Sequence, residues 1–390
     1  MNTAFLTAGI PTKNMILYHE IRFLAGDPAA LIMHPSAMAS ATDGVPTTRY
    51  LIIRDIEMER ARAHAWASVV SCPADHAPAA GLSGDRETAT AQATAVFLTS
   101  HNITRVIVDR SLPYIFAYHL LEAGISITYD PDKGVLSRRF KDEQEIDALR
   151  QAQHDTETVM ERACTLIARA QADASGALIH KGEQLSAQRV RTLIDIWLLE
   201  LGYTNPPSIV ACGSQGGDCH NLGQGILHTA EPVIIDIFPQ NKTTLYNGDC
   251  TRCVVHGDIP DTIAHMHAAI VQAKAAAIAA CKAGVTGEQV HLETARVIQA
   301  HGYGMGLPAP DAPPTHIAMT HGTGHGVGLE VHEPPLLDMG GPALVAGDAL
   351  TVEPGLYAKA IGGLRIEDMV IVTNDGCINL NTLPEGLSWA

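Results

Sequence analysis

The sequence predicts two domains: a smaller α/β domain over residues 1–138 and a larger α+β domain over residues 139–390. Three observations carry this. The first third alternates short apolar runs with helical patterns. Ser137 to Ile146 reads as a boundary that opens a long helix. Beyond it, helical patterns and strand-length apolar runs follow each other as expected for helices packed on a mostly antiparallel sheet. A chain of 390 residues, 46% hydrophobic and 17% charged, is long enough for two globular domains.

In the first domain, Tyr50–Ile53 and Arg105–Asp109 are apolar runs suited to buried strands. Glu87–Ser100 and Ser111–Ala123 read as helices. Pro73–Asp85, rich in Pro, Ala, Gly and Asp, reads as a loop. No cluster of chemically active residues stands out there. In the second domain, Met160, Ala163, Cys164 and Ile167 fall at i, i+3, i+4, i+7 on one helical face. Further helical patterns run over Ala187–Leu201, Asp261–Ala283 and Gly287–His301. Strands are expected at Ser208–Cys212, Pro232–Asp236, Cys250–His256, Ala349–Val352 and Leu364–Val372. Two helix pairs, each near its own strands, hint at an internal duplication, although no repeated sequence supports one.

Composition excludes several classes. The net charge of −16 and the absence of a Lys/Arg run argue against a nucleic-acid binder. The N-terminus has no basic region leading into a long apolar stretch, and no run of 18 apolar residues occurs. Neither a secretion signal nor a membrane span is therefore expected. Eight scattered cysteines suit reduced thiols in the cytoplasm better than a disulfide framework. Cys250 and Cys253 lack a second CxxC, and a spacing of three on a strand points them to opposite faces, which argues against a zinc ribbon.

The chemistry gathers around His321-Gly-Thr-Gly-His325-Gly-Val-Gly-Leu-Glu-Val-His332-Glu333. Upstream, Asp236 ends an apolar run and Asp249 begins another, a separation that fits a hairpin returning both carboxylates to one place. Downstream, Glu353 and Glu367 sit inside apolar strand patterns. Each acid alone has an ordinary reading, as a strand cap, a turn residue or, for Glu367, a partner of Arg365. Together they need cations, because clustered carboxylates repel and a buried unpaired Glu is costly. Two divalent ions balance four carboxylates, leave the ions acidic enough to hold a bridging hydroxide, and take His325 as a further ligand. Glycines around His325 leave its imidazole exposed to the site and let the backbone approach metals and substrate. Oxygen-rich ligation with one imidazole favours Mn²⁺, Co²⁺ or Fe²⁺ over a thiolate zinc site. His321 and His332 suit substrate hydrogen bonds or proton transfer, and Arg365 suits a residue that orients a ligand. His332-Glu333-Pro-Pro is not HExxH, and neither GxSxG nor GxxxxGK[ST] occurs.

Asp236, Asp249 in Asp-Cys-Thr-Arg, His325 in its Gly-rich run, Glu353 in Glu-Pro-Gly-Leu-Tyr and Glu367 in Arg-Ile-Glu-Asp resemble, in order, the ligands of the pita-bread metallopeptidases. The set is most similar to the proline dipeptidase and aminopeptidase P branch. The resemblance covers residues 140–385, and the first 138 residues resemble the creatinase-type N-terminal domain.

That resemblance implies a pita-bread catalytic domain and an enzyme that hydrolyses Xaa-Pro bonds at the N-terminus of dipeptides or short peptides. Asp236 is then terminal on one metal, Asp249 and Glu367 bridge, and His325 and Glu353 hold the other. The ions are Mn²⁺ or Co²⁺, with Fe²⁺ or Zn²⁺ as alternatives. Glu353 also shuttles a proton, His321 and His332 contact substrate, and His220 supplies a further substrate-side imidazole, with His228 as a rival. The family commonly forms homodimers. Asp236 departs from the pattern in being followed by Ile-Phe-Pro, and the hairpin to Asp249 is slightly long. Alternatives are a non-prolyl hydrolase or aminopeptidase of the same fold, or a non-catalytic peptide- or protein-binding relative.

Overall fold

The computed structural model describes residues 2–35 and 47–389. The chain divides into two compact units, Met1–Arg138 and Arg139–Ala390.

The first unit is built on β1 (Thr3–Gly9), α1 (Met15–Ile21), β2 (Ala29–Pro35), β3 (Thr47–Ile52), α2 (Met58–His64), β4 (Val69–Ser71), α3 (Arg86–Ser100), β5 (Arg105–Val108), α4 (Tyr114–Glu122) and β6 (Ser126–Tyr129). Its six strands form one mixed sheet in the order β4-β3-β2-β1-β5-β6. Side chains alternate across it. Leu6, Ile32 and Ile52 join Phe97 and Phe116 on one face. Leu31, Leu51 and Ile53 join Leu17 and Ile21 on the other. The segment expected to be a loop opens with a 3₁₀ turn at Pro73–His76.

A short helix, α5 (Leu136–Arg139), leads to α6 (Glu143–Ala168), whose start is fixed by a capping box between Asp142 and Glu145. Met160, Ala163, Cys164 and Ile167 are buried along one face of α6. There follow β7 (Gln171–Ala172), β8 (Leu178–His180), β9 (Glu183–Gln184), α7 (Ala187–Glu200), β10 (Tyr203–Thr204), β11 (Ile209–Cys212), β12 (Pro232–Ile237), β13 (Gln240–Asn241) and β14 (Cys250–Val255). Then come α8 (Asp261–Ala280), α9 (Gly287–Ala300), β15 (Gly304–Met305), β16 (Ala318–Met319), β17 (Gly324–Gly326), β18 (Glu333–Leu337), β19 (Ala349–Val352), β20 (Gly355–Ala358), β21 (Gly362–Arg365), β22 (Asp368–Val372) and β23 (Cys377–Asn379).

Three sheets position the site, in the orders β11-β12-β14, β15-β16-β20-β21 and β18-β17-β19-β22-β23. The first is sandwiched between helices. Val233, Ile235, Cys250 and Val254 pack with α6 and α7. Ile234, Cys253 and Val255 pack with α8. Cys250 and Cys253 thus enter different cores, and all eight cysteines are free. By length and composition α8 could cross a membrane, although polar residues interrupt its apolar run. Here Ile263, Met266, Ala269, Ile270 and Ala273 of α8 lie in the protein core.

One run expected to be continuous is broken. Leu364–Val372 is two strands, β21 and β22, which belong to different sheets. Asp368 opens β22 in a buried ionic network. It accepts from Arg252 Nη2 at 2.9 Å, from Asn379 Nδ2 at 2.8 Å and from Lys274 Nζ. Burial alone pushes the Asp368 carboxyl up, but Lys274 and Arg252 outweigh it and hold the group below its ordinary value. A depressed carboxyl contributes stability above its unfolded pKa and loses it as pH falls through the folded value. Asp368→Asn is expected to lower the unfolding free energy by about 3–5 kcal/mol at pH 7. The deficit shrinks below about pH 4. Urea unfolding at both pH values checks this, and a loss under about 1 kcal/mol at pH 7 contradicts it.

Candidate metal centre

The sheet register brings the upstream acids together. Asp236 pairs with Thr251 across β12 and β14. Asp249 lies two residues before Thr251, so all three share one face. Glu353 lies where the chain leaves β19 of the five-stranded sheet for β20 of the four-stranded sheet. Glu367 lies where it returns, between β21 and β22. Neither Glu is inside a strand, as the apolar pattern had suggested. The sheet crossings turn both carboxylates toward β12 and β14, and the Glu367 N–H donates to the Thr251 carbonyl at 3.1 Å.

His325 is the middle residue of β17. A Cβ on Gly324 would lie 2.0 Å from the Thr351 carbonyl oxygen, and one on Gly326 would lie 2.5 Å from that of Pro334. The glycines are therefore required by the flanking chain, not by exposure of the histidine, which is only 9% accessible. His325 Nδ1 lies 3.1 Å from the Gly326 carbonyl. A carbonyl only accepts, so Nδ1 carries the proton and the Nε2 lone pair points away. Nε2 lies 3.5 Å from Glu353 Oε1 and 3.9 Å from Asp249 Oδ2.

Asp249, His325 and Glu367 are all buried, and one ligand atom of each lies within 4.8 Å of the others. Asp236 Oδ2 accepts from Arg365 Nη2 at 2.5 Å. Asp236 Oδ1 is buried with no hydrogen-bond partner. An orphaned carboxylate oxygen beside three clustered donors fits a metal ion, because burial without a partner is otherwise costly. These groups line one cleft of about 360 Å³, together with Glu353, His220, His321, His332 and the apolar Ile209, Phe238, Val331 and Leu336.

The electrostatics follow from crowding. Burial, then the neighbouring carboxylates, push Asp249 and Glu367 well above their ordinary values. Burial also raises Glu353, against His321 and Arg365. Burial lowers His321, His325 and His332, which favours neutral imidazoles.

Arg365 is not the partner of Glu367. It pairs with Asp236 and lies 3.6 Å from Glu353, because it ends β21 facing β12. Glu367 Oε2 instead accepts from Thr251 Oγ1 at 2.7 Å. Arg365 Nη1 donates to the Tyr357 hydroxyl at 3.0 Å, and that hydroxyl lies 2.8 Å from His321 Nε2. His321 Nδ1 lies 2.7 Å from the Gly322 carbonyl, so both nitrogens are engaged within the protein. His220 lines the cleft, whereas His228 is in a β-bridge with Ala177.

Sequence reasoning missed the groups that hold the ligands. Gln153 of α6 clamps the Asp249 backbone, accepting its N–H at 2.9 Å and donating to its carbonyl at 2.7 Å. Arg252 donates to the Glu367 carbonyl at 2.6 Å. Thr251 and Arg252 stand in the quoted Asp-Cys-Thr-Arg run, which was the available signal. Gln153 gave none.

The model of metallopeptidase family M24 matches residues 147–374, more than half of the chain. The chain belongs to this family. A probable dipeptidase, PepE, of Mycobacterium bovis is 31% identical over 252 residues, 64% of this chain and 60% of that protein. The match thus spans less than two thirds of that relative. The Xaa-Pro dipeptidase of Pyrococcus horikoshii is 27% identical over 276 residues, 69% of this chain and 70% of that protein. The solved Xaa-Pro dipeptidase from Bacillus anthracis superposes with a TM-score of 0.78 at 22% identity, covering 98% of this chain and 94% of that one. This likeness shows the fold, the pita-bread architecture expected from the sequence.

Gly326→Ala is expected to lower stability by about 1–3 kcal/mol, because the added methyl forces β17 away from the chain at Pro334. Thermal unfolding of the two proteins measures it. An unchanged midpoint means that the close approach is not required.

Proposed function

We propose that this chain is a dinuclear metal-dependent peptidase that hydrolyses Xaa-Pro bonds at the N-terminus of dipeptides or short peptides. The observation that carries this reading is the buried convergence of Asp249, His325 and Glu367 beside the orphaned oxygen of Asp236. The family, and relatives named Xaa-Pro dipeptidase, support it. Asp236 and Asp249 with Glu367 form the donor set for one ion. His325 and Glu353, together with Asp249 and Glu367, would hold the other. Mn²⁺ and Co²⁺ suit these donors best. When bound, such ions supply a Lewis acid and lower the pKa of water.

The chain's own residues do the rest. Arg365 holds one oxygen of Asp236 and leaves the second buried without a hydrogen-bond partner. Thr251 orients Glu367, and Gly326 fixes the His325 tautomer. Glu353, at the cleft beside His321 and His325, takes the proton of the attacking water and returns it to the prolyl nitrogen, which must receive one before proline can leave. His220 and His332 line the cleft and make no side-chain hydrogen bond to the protein among the described residues. They meet the peptide. His321, locked to Tyr357, supports the wall. The apolar Ile209, Phe238 and Val331 accept a side chain or a pyrrolidine ring. The reading includes a cytoplasmic homodimer, for which the eight free thiols suit a reducing compartment.

A second reading, a dipeptidase without proline specificity, is favoured by the PepE relative, whose name specifies no proline. A panel of Xaa-Pro dipeptides, longer Xaa-Pro peptides, non-prolyl dipeptides and methionyl peptides separates the two. Fastest turnover on a non-prolyl dipeptide selects the second.

Asp249→Ala and Glu367→Ala are each expected to abolish turnover and metal binding together. Turnover retained with two ions bound defeats the assignment. Because Asp249 and Glu367 are pushed up in the metal-free protein, cation binding must displace protons. Calorimetric titration with Mn²⁺ at a series of falling pH values is therefore expected to give heats that depend increasingly on the buffer's ionisation enthalpy. Identical heats in all buffers contradict the raised carboxyls.

A further inference from the structure

His332 is exposed at the cleft, yet the next residue, Glu333, is 4% accessible and opens β18. Its carboxylate reaches both the Lys141 ammonium and the Glu330 backbone N–H. Glu333 Oε2 is 3.5 Å from Lys141 Nζ, and both side chains are 3% accessible. Glu333 Oε1 accepts the Glu330 N–H at 3.0 Å. A Cβ on Gly328 would lie 2.8 Å from Glu333 Oε1 and 3.0 Å from Lys141 Cε, so the packing there leaves no slack. The same connection is held from its other side. The Gly328 carbonyl accepts both the N–H and the side-chain amide of Asn247, at 2.9 and 2.8 Å.

We infer that Lys141 and Glu333 are positioning residues that act through His332: the buried ion pair fixes the turn that aims this imidazole at the substrate. This rests on the peptidase reading above. The reasoning is one of leverage. His332 has no side-chain hydrogen bond to the protein among the described residues, and its ring packs edge-on against His325 with centroids 4.4 Å apart. Its direction is therefore set by that ring contact and by its backbone, and the backbone is anchored one residue later by a charge buried against Lys141. Lys141 lies before the matched family region, which begins at residue 147, whereas Glu333 lies within it. The first residues of the second unit thereby complete a site whose other parts lie far along the chain.

Lys141→Met, Lys141→Arg and Glu333→Gln test this in the full-length metal-loaded protein. Lys141→Met is expected to lower kcat/KM by about 10- to 100-fold with metal content unchanged. Lys141→Arg is expected to recover most of the loss. In a His332→Ala background, Lys141→Met is expected to cost nothing further, because the group it positions is gone. An equal loss in both backgrounds, or a lowered melting temperature with unchanged kinetics, overturns the proposal. If Lys141→Met does not fold, Glu333→Gln takes its place in the same cycle. Should the wild-type protein cleave none of the peptides, the peptidase reading fails alone. The pair is then judged by histidine side-chain NMR, with the His332 signal assigned by its absence in His332→Ala. That signal is expected to move in Lys141→Met and return in Lys141→Arg, and an unmoved signal overturns the proposal.

Discussion

Like charges held together out of water are the constraint on which the rest of the second unit depends. Asp249, Glu353 and Glu367 share one buried space with Asp236, and the proton affinity of each of the three is raised by at least one of the other acids. Left to themselves such groups move apart or leave the interior. The fold prevents both. Two sheet crossings deliver Glu353 and Glu367 from one side, and the β12–β14 register delivers Asp236 and Asp249 from the other. Gln153 and Arg252 then grip the backbone of Asp249 and Glu367, not their carboxylates, leaving the oxygens available.

Glu367 and Asp368 show how sharply environment divides neighbours. They are consecutive and both buried, yet the first is pushed well up and the second down. Asp368 faces Lys274 and Arg252, whose charges outweigh the cost of burial. Glu367 faces other acids across the cleft. A break between two strands lets adjacent side chains serve a structural ion network and the acid cluster of the cleft without mixing their charges.

The helices of the second unit were legible because their apolar period is long and regular, as along α6, and their ends were placed within a few residues. The strands β12, β14 and β19 were legible for the same reason. The break after Arg365 was not. A run that stays extended and buried on both faces keeps one apolar signature whether it remains in a sheet or leaves it. Strand β1, Thr3–Gly9, was missed because its small and hydroxylated residues mute the alternation. At the site, the acids and His325 stood out as polar residues in apolar runs. The reason for the glycines flanking His325 did not, since it depends on chain at Thr351 and Pro334. Gln153 was invisible for a stronger reason: its partner is 96 residues away, and nothing local distinguishes it from any buried helical glutamine.

Arg365, Thr251 and Gly326 already orient Asp236, Glu367 and His325 through bonds within the polypeptide. Little rearrangement is then required when a cation arrives or departs. Loading becomes an exchange with the surroundings and not an event of folding. Which ion such a cradle takes then depends as much on the ions its surroundings offer as on its shape.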